Sequence, residues 1–272
     1  MIIIGERINT SIGYILAAYE QGQSEVIARE ARLQWEAGAQ YIDINAGLKL
    51  TNNEAWLSWA VDVVQESLPD ARLSIDTTRP AVMAAVFKRL HETKDVILNS
   101  ITCQKHRIEG MLPIVKEYGC KLIALTIDEK GMPDTAEGRY DIAARLAEVA
   151  GTWGIPLGDV YIDFLALPIR YGHHQAQVSL DTLAAIKARI PEINTVVNVS
   201  AATWHLPNRS YCTGVLQAML TARGIDAVIL NVLDQEVMDA VVSAGTLLGN
   251  DPDCATYLQR FEASRASEPI VS

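Results

Sequence analysis

The chain has 272 residues, of which 49% are hydrophobic and 21% are charged, and its formal net charge is −10 at pH 7. These values are typical of a soluble globular protein, and the length fits one large α/β barrel as well as two smaller domains. The negative charge argues against a nucleic-acid surface or an anionic membrane as the partner, since both need clustered lysine and arginine.

The amino-terminal residues and the cysteines point to an intracellular protein. The four cysteines are scattered and form no C-x-x-C pair, which is typical of reduced thiols. Residues 1–6, MIIIGE, reach a charged residue too early for a signal peptide, and no apolar run approaches the roughly 20 residues that cross a bilayer. We therefore expect a cytoplasmic location.

Short apolar runs rich in β-branched residues recur along the chain and predict eight β-strands. The runs are Ile2–Ile4, Tyr41–Asn45, Leu73–Asp76, Val96–Asn99, Leu122–Thr126, Val160–Asp163, Thr195–Asn198 and Ala227–Leu230. Helical spacing separates them. Residues 56–64, for example, place their apolar side chains on one face of a helix that must end before Pro69. Left-handed helix C-caps are expected at Gly38, Gly119, Gly154 and Gly224.

Eight βα repeats in about 250 residues favour a closed (β/α)8 TIM barrel, an α/β fold. An open doubly wound sheet is the alternative, but it would more often carry a G-x-G-x-x-G loop after its first strand, and residues 5–9 contain none. No linker or low-complexity segment divides the chain. We expect one barrel domain over residues 1–250. Residues 251–272 should form a short helix around Tyr257–Phe261 and a frayed end.

Carboxylates and carboxamides dominate the carboxyl ends of the predicted strands, where a barrel enzyme places its site. These residues are Glu6, Asn9, Asp43, Asn45, Asp76, Asn99, Asp128, Asp163, Asn198 and Asn231. The seventh strand shows the pattern most clearly. It leads into Asn198 and Ser200, then a loop with Trp204 and His205, then a helix that Asn208 could cap.

The composition of this rim argues against several chemistries. We find no strand lysine for a Schiff-base aldolase and no Gly-rich phosphate turn near the last two strands. The adjacent His173 and His174 do not have a zinc-ligand spacing, so no metal site is expected. A carboxylate acid/base pair stays open as an alternative. Ionised Asp and the Asn amide suit the donor-rich edge of a flat heterocycle, although any single Asp could equally cap a helix.

At these residues the sequence resembles the methyltetrahydrofolate:corrinoid protein methyltransferases, part of the pterin-binding barrel group that also contains dihydropteroate synthase. The matching segments fall in family order from the first strand to the helix after the seventh. They are Ile4–Asn9, Ala39–Gly47, Ser74–Thr78, Leu98–Ser100, Tyr161–Asp163 with Leu167–Pro168, Asn198–Ser200 and Pro207–Arg209. The resemblance implies a methyltransferase acting between N5 of tetrahydrofolate and the cobalt of a corrinoid.

The resemblance also implies roles for individual residues. Asp76, Asn99 and Asp163 would hold the pterin edge, with Asp43 and Ser200 as further pterin contacts. Asn198 would reach N5 and act as the catalytic residue by hydrogen bonding, because the amine leaves poorly without a donor that strengthens in the transition state. Possible loop contacts are Glu6, Asn9, Asp128, Trp204, His205 and Arg209.

Partners follow from the same resemblance. A D-x-H-x-x-G cobalt-ligating pattern is absent from the chain, so the corrinoid (cobalamin) should be carried on a separate protein that docks over the barrel mouth. We expect a homodimer, the commonest assembly of soluble enzymes. The changed strand-seven loop slightly favours transfer from methylcorrinoid to tetrahydrofolate.

Two other functions stay open within this group. One is a folate-binding barrel that has lost catalysis through its altered loop, with Val197-Asn198 where many members have Ser-Asn. The other is a dihydropteroate-synthase-like enzyme, although the Ser-x-Arg-Lys-type loop and basic anion site of that enzyme are not found here.

Overall fold

A computed structural model describes residues 1–47 and 53–265, and in these ranges eight parallel strands close a barrel in chain order. The strands are β1 Ile2–Asn9, β2 Tyr41–Asn45, β3 Arg72–Asp76, β4 Ile97–Thr102, β5 Lys121–Leu125, β6 Val160–Asp163, β7 Asn194–Asn198 and β8 Ala227–Leu230. Closure comes from β1 pairing with β8, from Ile2 opposite Ala227 to Gly5 opposite Leu230. The predicted (β/α)8 barrel is confirmed.

Helices follow the strands around the outside. They are α1 Gly13–Gln21, α2 Ser24–Glu36, α3 Asn53–Ser67, α4 Pro80–Phe87, α5 Lys105–Tyr118, α6 Ala136–Trp153, α7 Gln175–Arg189, α8 Val199–Ala202, α9 Arg209–Ala222, α10 Gln235–Leu247 and α11 Ala255–Arg265. Helix α3 ends before Pro69, and all four predicted cap glycines have positive φ. The predicted carboxyl-terminal helix is α11, and the expected frayed end beyond it lies outside the described residues. Within the described ranges, no helix is both long and apolar enough to cross a bilayer.

An apolar layer fills the barrel below the mouth. It consists of Ile4, Tyr41, Ile97, Ile123, Tyr161, Val196, Ala227 and Ile229. Side chains two positions further along a strand point the same way, so the layer leads directly to a polar one. Those next inward residues are Glu6, Asp43, Asn99, Asp163 and Asn198. The alternation of inward and outward side chains therefore places the predicted polar site directly above this packed apolar layer.

Two details of the strands differ from the sequence prediction. Strand β1 continues past Ile4 through a bulge to Asn9, so Glu6 and Asn9 lie within the strand and not in a loop after it. The expectation that no strand carries a lysine is wrong, since Lys121 begins β5. Its Nζ donates to the Tyr41 hydroxyl at 2.9 Å and to Asp95 at 2.9 Å, at the end of the strand opposite the mouth.

Candidate active site

Asp43 forms the buried base of the candidate site. Its Oδ1 accepts hydrogen bonds from Ser74 Oγ at 2.6 Å and from Asn99 Nδ2 at 3.1 Å. Burial, followed by the nearby charges of Asp76 and Glu6, raises the pKa of Asp43 well above its ordinary value, against the effect of the two hydrogen bonds. Asp43 therefore orients the Asn99 amide and shares the barrel mouth with two further carboxylates.

Asp76 lies beside Asn45 at the ends of β3 and β2, where the two residues are register partners. The Asn45 amide donates to the Asp76 carboxylate at 2.5 Å. Burial raises the pKa of Asp76 to about 6, and this hydrogen bond partly opposes the rise. Asp76 is also the register partner of Asn99 on β4, so three neighbouring strands present polar groups at one level.

A cavity of about 270 Å³ opens beside Asp76. It is lined by Asn45, Gly47, Asn53, Asp76, Thr77, Thr78 and Arg79. The side-chain oxygens of Asn45 and Asn53 are buried there without a hydrogen-bond partner among the described residues. Buried unpaired acceptors are costly. A ligand with N–H donors would therefore be favoured in this cavity.

Asp163 ends β6 and is buried. Burial raises the pKa of this carboxyl to about 6, whereas the Leu165 backbone N–H, which donates to Oδ1 at 2.8 Å, and the charge of Arg139 both lower it. Near neutral pH Asp163 is therefore ionised and acceptor-only. Such a carboxylate can take two parallel N–H bonds from an aminopyrimidinone edge.

Asn198 ends β7 and is also the N-cap of helix α8. Its Oδ1 accepts from the Ala201 N–H at 3.1 Å, and its Nδ2 donates to Glu6 Oε2 at 2.9 Å. The cap fixes the orientation of the Asn198 amide, because its oxygen accepts the hydrogen bond from the first turn of α8. Asn198 therefore directs its donor end towards the mouth.

A larger cavity of about 520 Å³ adjoins Asn198 between the ends of β1, β7 and β8. Predicted site residues that line it are Glu6, Asn9, Asn198, Ser200, Trp204 and Arg209. The Arg209 guanidinium donates to the Ser200 carbonyl at 2.7 Å and ties this loop to α9. Trp204 is 56% exposed and stacks on His205, with ring centroids 4.4 Å apart. The two aromatic rings therefore lie on the outer rim.

The prediction of Asn208 as a side-chain helix cap is wrong, and Asp128 lies outside the two cavities described above. Asp128 forms an ion pair with Arg145 and lines a separate groove with Glu129 and Met132. Asn208 directly precedes α9 but has a left-handed backbone with φ of 46°, and its side chain makes no cap hydrogen bond. The helix cap of this region is Asn198, since the polar turn after β7 folds into α8.

The strand-end pattern does not predict three residues at or behind the site. Asn45 is expected only as a strand end, Asn53 lies away from the strand ends, and the buried Arg139 lies on a helix. For Arg139 a signal exists, because it lies on the same face of α6 as the buried Ile142, Ala143 and Leu146. Among the residues that the structure describes, no group of three or more His, Cys, Asp or Glu side chains is arranged so that it could hold a metal ion.

Comparisons with known proteins agree with this geometry. The pterin binding enzyme family matches residues 5–231. The chain is 27% identical over 267 residues to the methylcorrinoid:tetrahydrofolate methyltransferase of Eubacterium limosum, with 97% of each chain covered. It is 26% identical over 171 residues to the methionine synthase of Mycobacterium tuberculosis, which covers 58% of this chain and 14% of that protein.

Solved structures share the fold. The dihydropteroate synthase of Yersinia pestis with a pterine-sulfa conjugate has a TM-score of 0.66 at 17% identity, covering 91% of this chain and 93% of that one. The dihydropteroate synthase of Coxiella burnetii with pteroic acid has a TM-score of 0.64 at 14% identity, covering 90% and 94%. At such identities the likeness is one of fold alone. Because the family match runs from β1 to β8, the chain belongs to the pterin-binding enzyme family.

Proposed function

We propose that this chain is a methyltransferase that moves a methyl group between a corrinoid, carried on a separate protein, and N5 of tetrahydrofolate. The observation that carries the proposal is the acceptor set of the half-buried Asp76 and the buried Asn99 and Asp163, at the same end of the barrel as the donor of Asn198. Similarity over 97% of both chains to a methylcorrinoid:tetrahydrofolate methyltransferase supports it. That similarity also favours tetrahydrofolate as the methyl acceptor.

In this proposal the buried carboxylates recognise the pterin ring. Asp76 and Asp163, whose pKa values are about 6, are ionised at pH 7 and accept the ring N–H groups. Asn99 adds an amide whose donor end is held by Asp43. Each contact positions the ring, and holding the two reactants in line supplies much of the acceleration.

Asn198 acts on the nitrogen that changes bonding. The methylated corrinoid, as a substrate carried by the partner protein, would supply the methyl group and keep the electron pair of the broken bond. N5 of tetrahydrofolate would form the new N–C bond and release its proton to water. In the reverse direction the amine is the leaving group, and an amide N–H directed at N5 strengthens its hydrogen bond as the C–N bond breaks. One donor therefore serves both directions through the same transition state.

The exposed Trp204 on the rim is a contact for the corrinoid protein in this proposal.

The test is anaerobic mixing of the protein with tetrahydrofolate and methylcobalamin, with the cobalt absorbance followed over time. We expect turnover by the wild-type protein and a loss of about 10- to 100-fold in kcat for Asn198→Ala. Affinity for tetrahydrofolate, measured by calorimetric titration, should change by only a few-fold.

Asn198→Ser is the matched control, because serine keeps an oxygen that caps α8, while its shorter side chain has no amide N–H to reach N5. If Asn198→Ser is as slow as Asn198→Ala, the donor and not the cap accounts for the loss. Normal turnover in both variants would refute the role of Asn198. Folate binding without any cobalt spectral change in the wild-type protein would favour a binding barrel without catalysis, and failure to bind any pterin would refute the whole proposal.

A further inference from the structure

Arg139 is a fully buried arginine on helix α6 that the proposed reaction does not use directly. Its side chain donates to main-chain carbonyls and to neutral side chains on α7. The acceptors are Pro133 O at 3.0 Å, Phe164 O at 3.1 Å, Leu165 O at 2.8 Å, Gln175 Oε1 at 2.6 Å and Ser179 Oγ at 3.5 Å. No carboxylate is among these partners. Main-chain carbonyls of the loop after β6 therefore replace water as hydrogen-bond acceptors of the buried guanidinium.

That loop begins at Asp163. Arg139 binds the carbonyls of Phe164 and Leu165, the two residues that directly follow Asp163. Leu165 has a left-handed backbone with φ of 63°, a conformation that costs a leucine about 1 kcal/mol or more. Its N–H donates to Asp163 Oδ1 at 2.8 Å. The guanidinium thus stabilises the turn that aims a backbone donor at the carboxylate.

The charge of Arg139 reaches the same group. Burial lowers the pKa of Arg139, and the charges of Asp134 and Asp163 oppose this fall, so the guanidinium stays protonated. In return, its positive charge favours the ionised form of Asp163 in a buried setting that disfavours any charge. Geometry and charge therefore act on one carboxylate.

We propose that Arg139 is a positioning residue for pterin recognition, acting through Asp163 by fixing the turn after β6 and by keeping that carboxylate ionised. The inference rests on the proposed function, because it takes Asp163 to be the acceptor of the pterin N–H groups. Arg139 itself contacts no ligand in this proposal.

Several other ionisable side chains lie near this site. Asp43, Asp76 and Glu6 share the mouth on the side of β1 to β3, Asp134 precedes α6, and a ring nitrogen of His174 is 3.2 Å from the Gln175 amide. Asp134 also interacts with the charge of Arg139, so the pH dependence of an Arg139 variant does not by itself identify the responsible carboxylate. The change is assigned to Asp163 if it disappears in the Asp163→Asn background.

The experiment measures the dissociation constant of tetrahydrofolate between pH 5 and 8 by anaerobic calorimetry. Wild-type affinity should fall as pH drops through about 6, where both Asp76 and Asp163 become protonated. Of these two contributions, the substitutions at Arg139 act on that of Asp163. In Arg139→Gln we expect the pH midpoint of tetrahydrofolate affinity to move up by about one unit, which lowers the affinity at pH 7 about twofold through protonation of Asp163 alone. Arg139→Lys keeps the charge and should keep the midpoint near the wild-type value.

A second variant covers the case in which Arg139→Gln does not fold. Gln175→Glu leaves the guanidinium in place but sets a carboxylate at its 2.6 Å contact, which neutralises its field at Asp163. The midpoint should again move up. A merely structural arginine would lower affinity without moving the midpoint. Unchanged midpoints in Arg139→Gln and Gln175→Glu would therefore overturn the inference.

Asp163→Asn separates this inference from the proposed function. If Asp163→Asn binds tetrahydrofolate as tightly as the wild-type protein, the proposed pterin contact is wrong, and the inference falls with it. If Asp163→Asn weakens binding while the Arg139 and Gln175 variants keep the wild-type midpoint, the proposed function stands and only the role of Arg139 is refuted. In the Asp163→Asn background, Arg139→Gln should produce no further shift.

Discussion

The carboxyl groups of the buried Asp43 and Asp163 and of the half-buried Asp76 have raised pKa values with one shared cause and different compensating interactions. Burial is the largest influence on each of them. The compensating donors differ: two side chains for Asp43, one amide for Asp76, and one backbone N–H with a nearby cation for Asp163. Such groups lower the free energy of unfolding of the ligand-free protein, because their charges are removed from water without a full set of hydrogen-bond partners. A bound ligand would supply the missing partners.

The raised pKa of Asp163 should make the stability of the ligand-free protein depend on pH. The folded-state pKa of Asp163, about 6, lies above its ordinary value of 3.8, so ionisation in the folded state is unfavourable. The penalty is absent below about pH 4 and complete above about pH 6. Asp163→Asn should therefore be more stable than the wild-type protein at pH 8, by about 3 kcal/mol, and nearly equal to it at pH 4.

Urea unfolding of both proteins at the two pH values measures this difference. The same variant should bind tetrahydrofolate at least about 10-fold more weakly at pH 8, because it lacks the charged acceptor. A stability difference that does not depend on pH would contradict the assignment of a raised pKa to Asp163.

At the scale of elements, a one-turn helix decides how the candidate catalytic amide is oriented. The sequence predicted a loop after β7, but Val199–Ala202 form α8 with Asn198 as its cap. The short helix uses the amide oxygen, and the amide nitrogen is left for Glu6 and the cavity. The short helix thus determines that the NH2 group of Asn198, and not its oxygen, faces the cavity.

The element-scale prediction tests the close contact of α9 with α10. A Cβ on Gly214 would lie 2.9 Å from Ala240 Cβ and 3.3 Å from the Glu236 carbonyl oxygen. Gly214→Ala should therefore destabilise the protein by about 1–3 kcal/mol, since one helix must move. Gly245→Ala is the matched control in α10, where a Cβ would meet no atom within 4 Å.

Gly245→Ala should raise stability by about 0.5–1 kcal/mol, because alanine favours the helix over the unfolded chain. Denaturant unfolding at one pH compares the two variants with the wild-type protein. Equal effects of the same sign would mean that the approach of the two helices does not determine the choice of glycine at position 214.

At the scale of the whole molecule, barrel closure joins the two ends of the domain. Strand β1 pairs with β8 over Ile2–Gly5 and Ala227–Leu230, so the ring of strands is complete only when β8 is present. Helix α11 is different, since most of its described side chains are exposed. Its described contacts include an ion pair between Arg260 and Asp239. The expected domain of residues 1–250 contains everything that closes the ring.

The whole-molecule prediction follows from that difference. A chain of residues 1–250 should fold and bind tetrahydrofolate within a few-fold of the full chain, because an exposed ion pair contributes only about 0–1 kcal/mol. A chain of residues 1–223 should not fold, since it leaves the edges of β1 and β7 unpaired. Circular dichroism and folate titration check both. Loss of folding in the longer fragment would show that α11 belongs to the barrel.

The sequence by itself determined the strands, most of the helices and the polar character of the mouth. Strand and helix periods are local properties of consecutive residues, so runs such as Tyr41–Asn45 and Val160–Asp163 could be assigned without any partner. The same periodicity indicated that Asp43, Asp163 and Asn198 share the interior.

Only the tertiary structure decided which polar groups meet. Asn99 binds Asp43 across 56 residues of sequence and Asn198 binds Glu6 across 192, and both pairs depend on register and barrel closure. The same is true of Arg139, whose partners after β6 lie on another element, and of Asp128, which turns away to Arg145. A hydrogen bond needs its two atoms within about 3 Å, and sequence spacing does not encode that distance between separate strands.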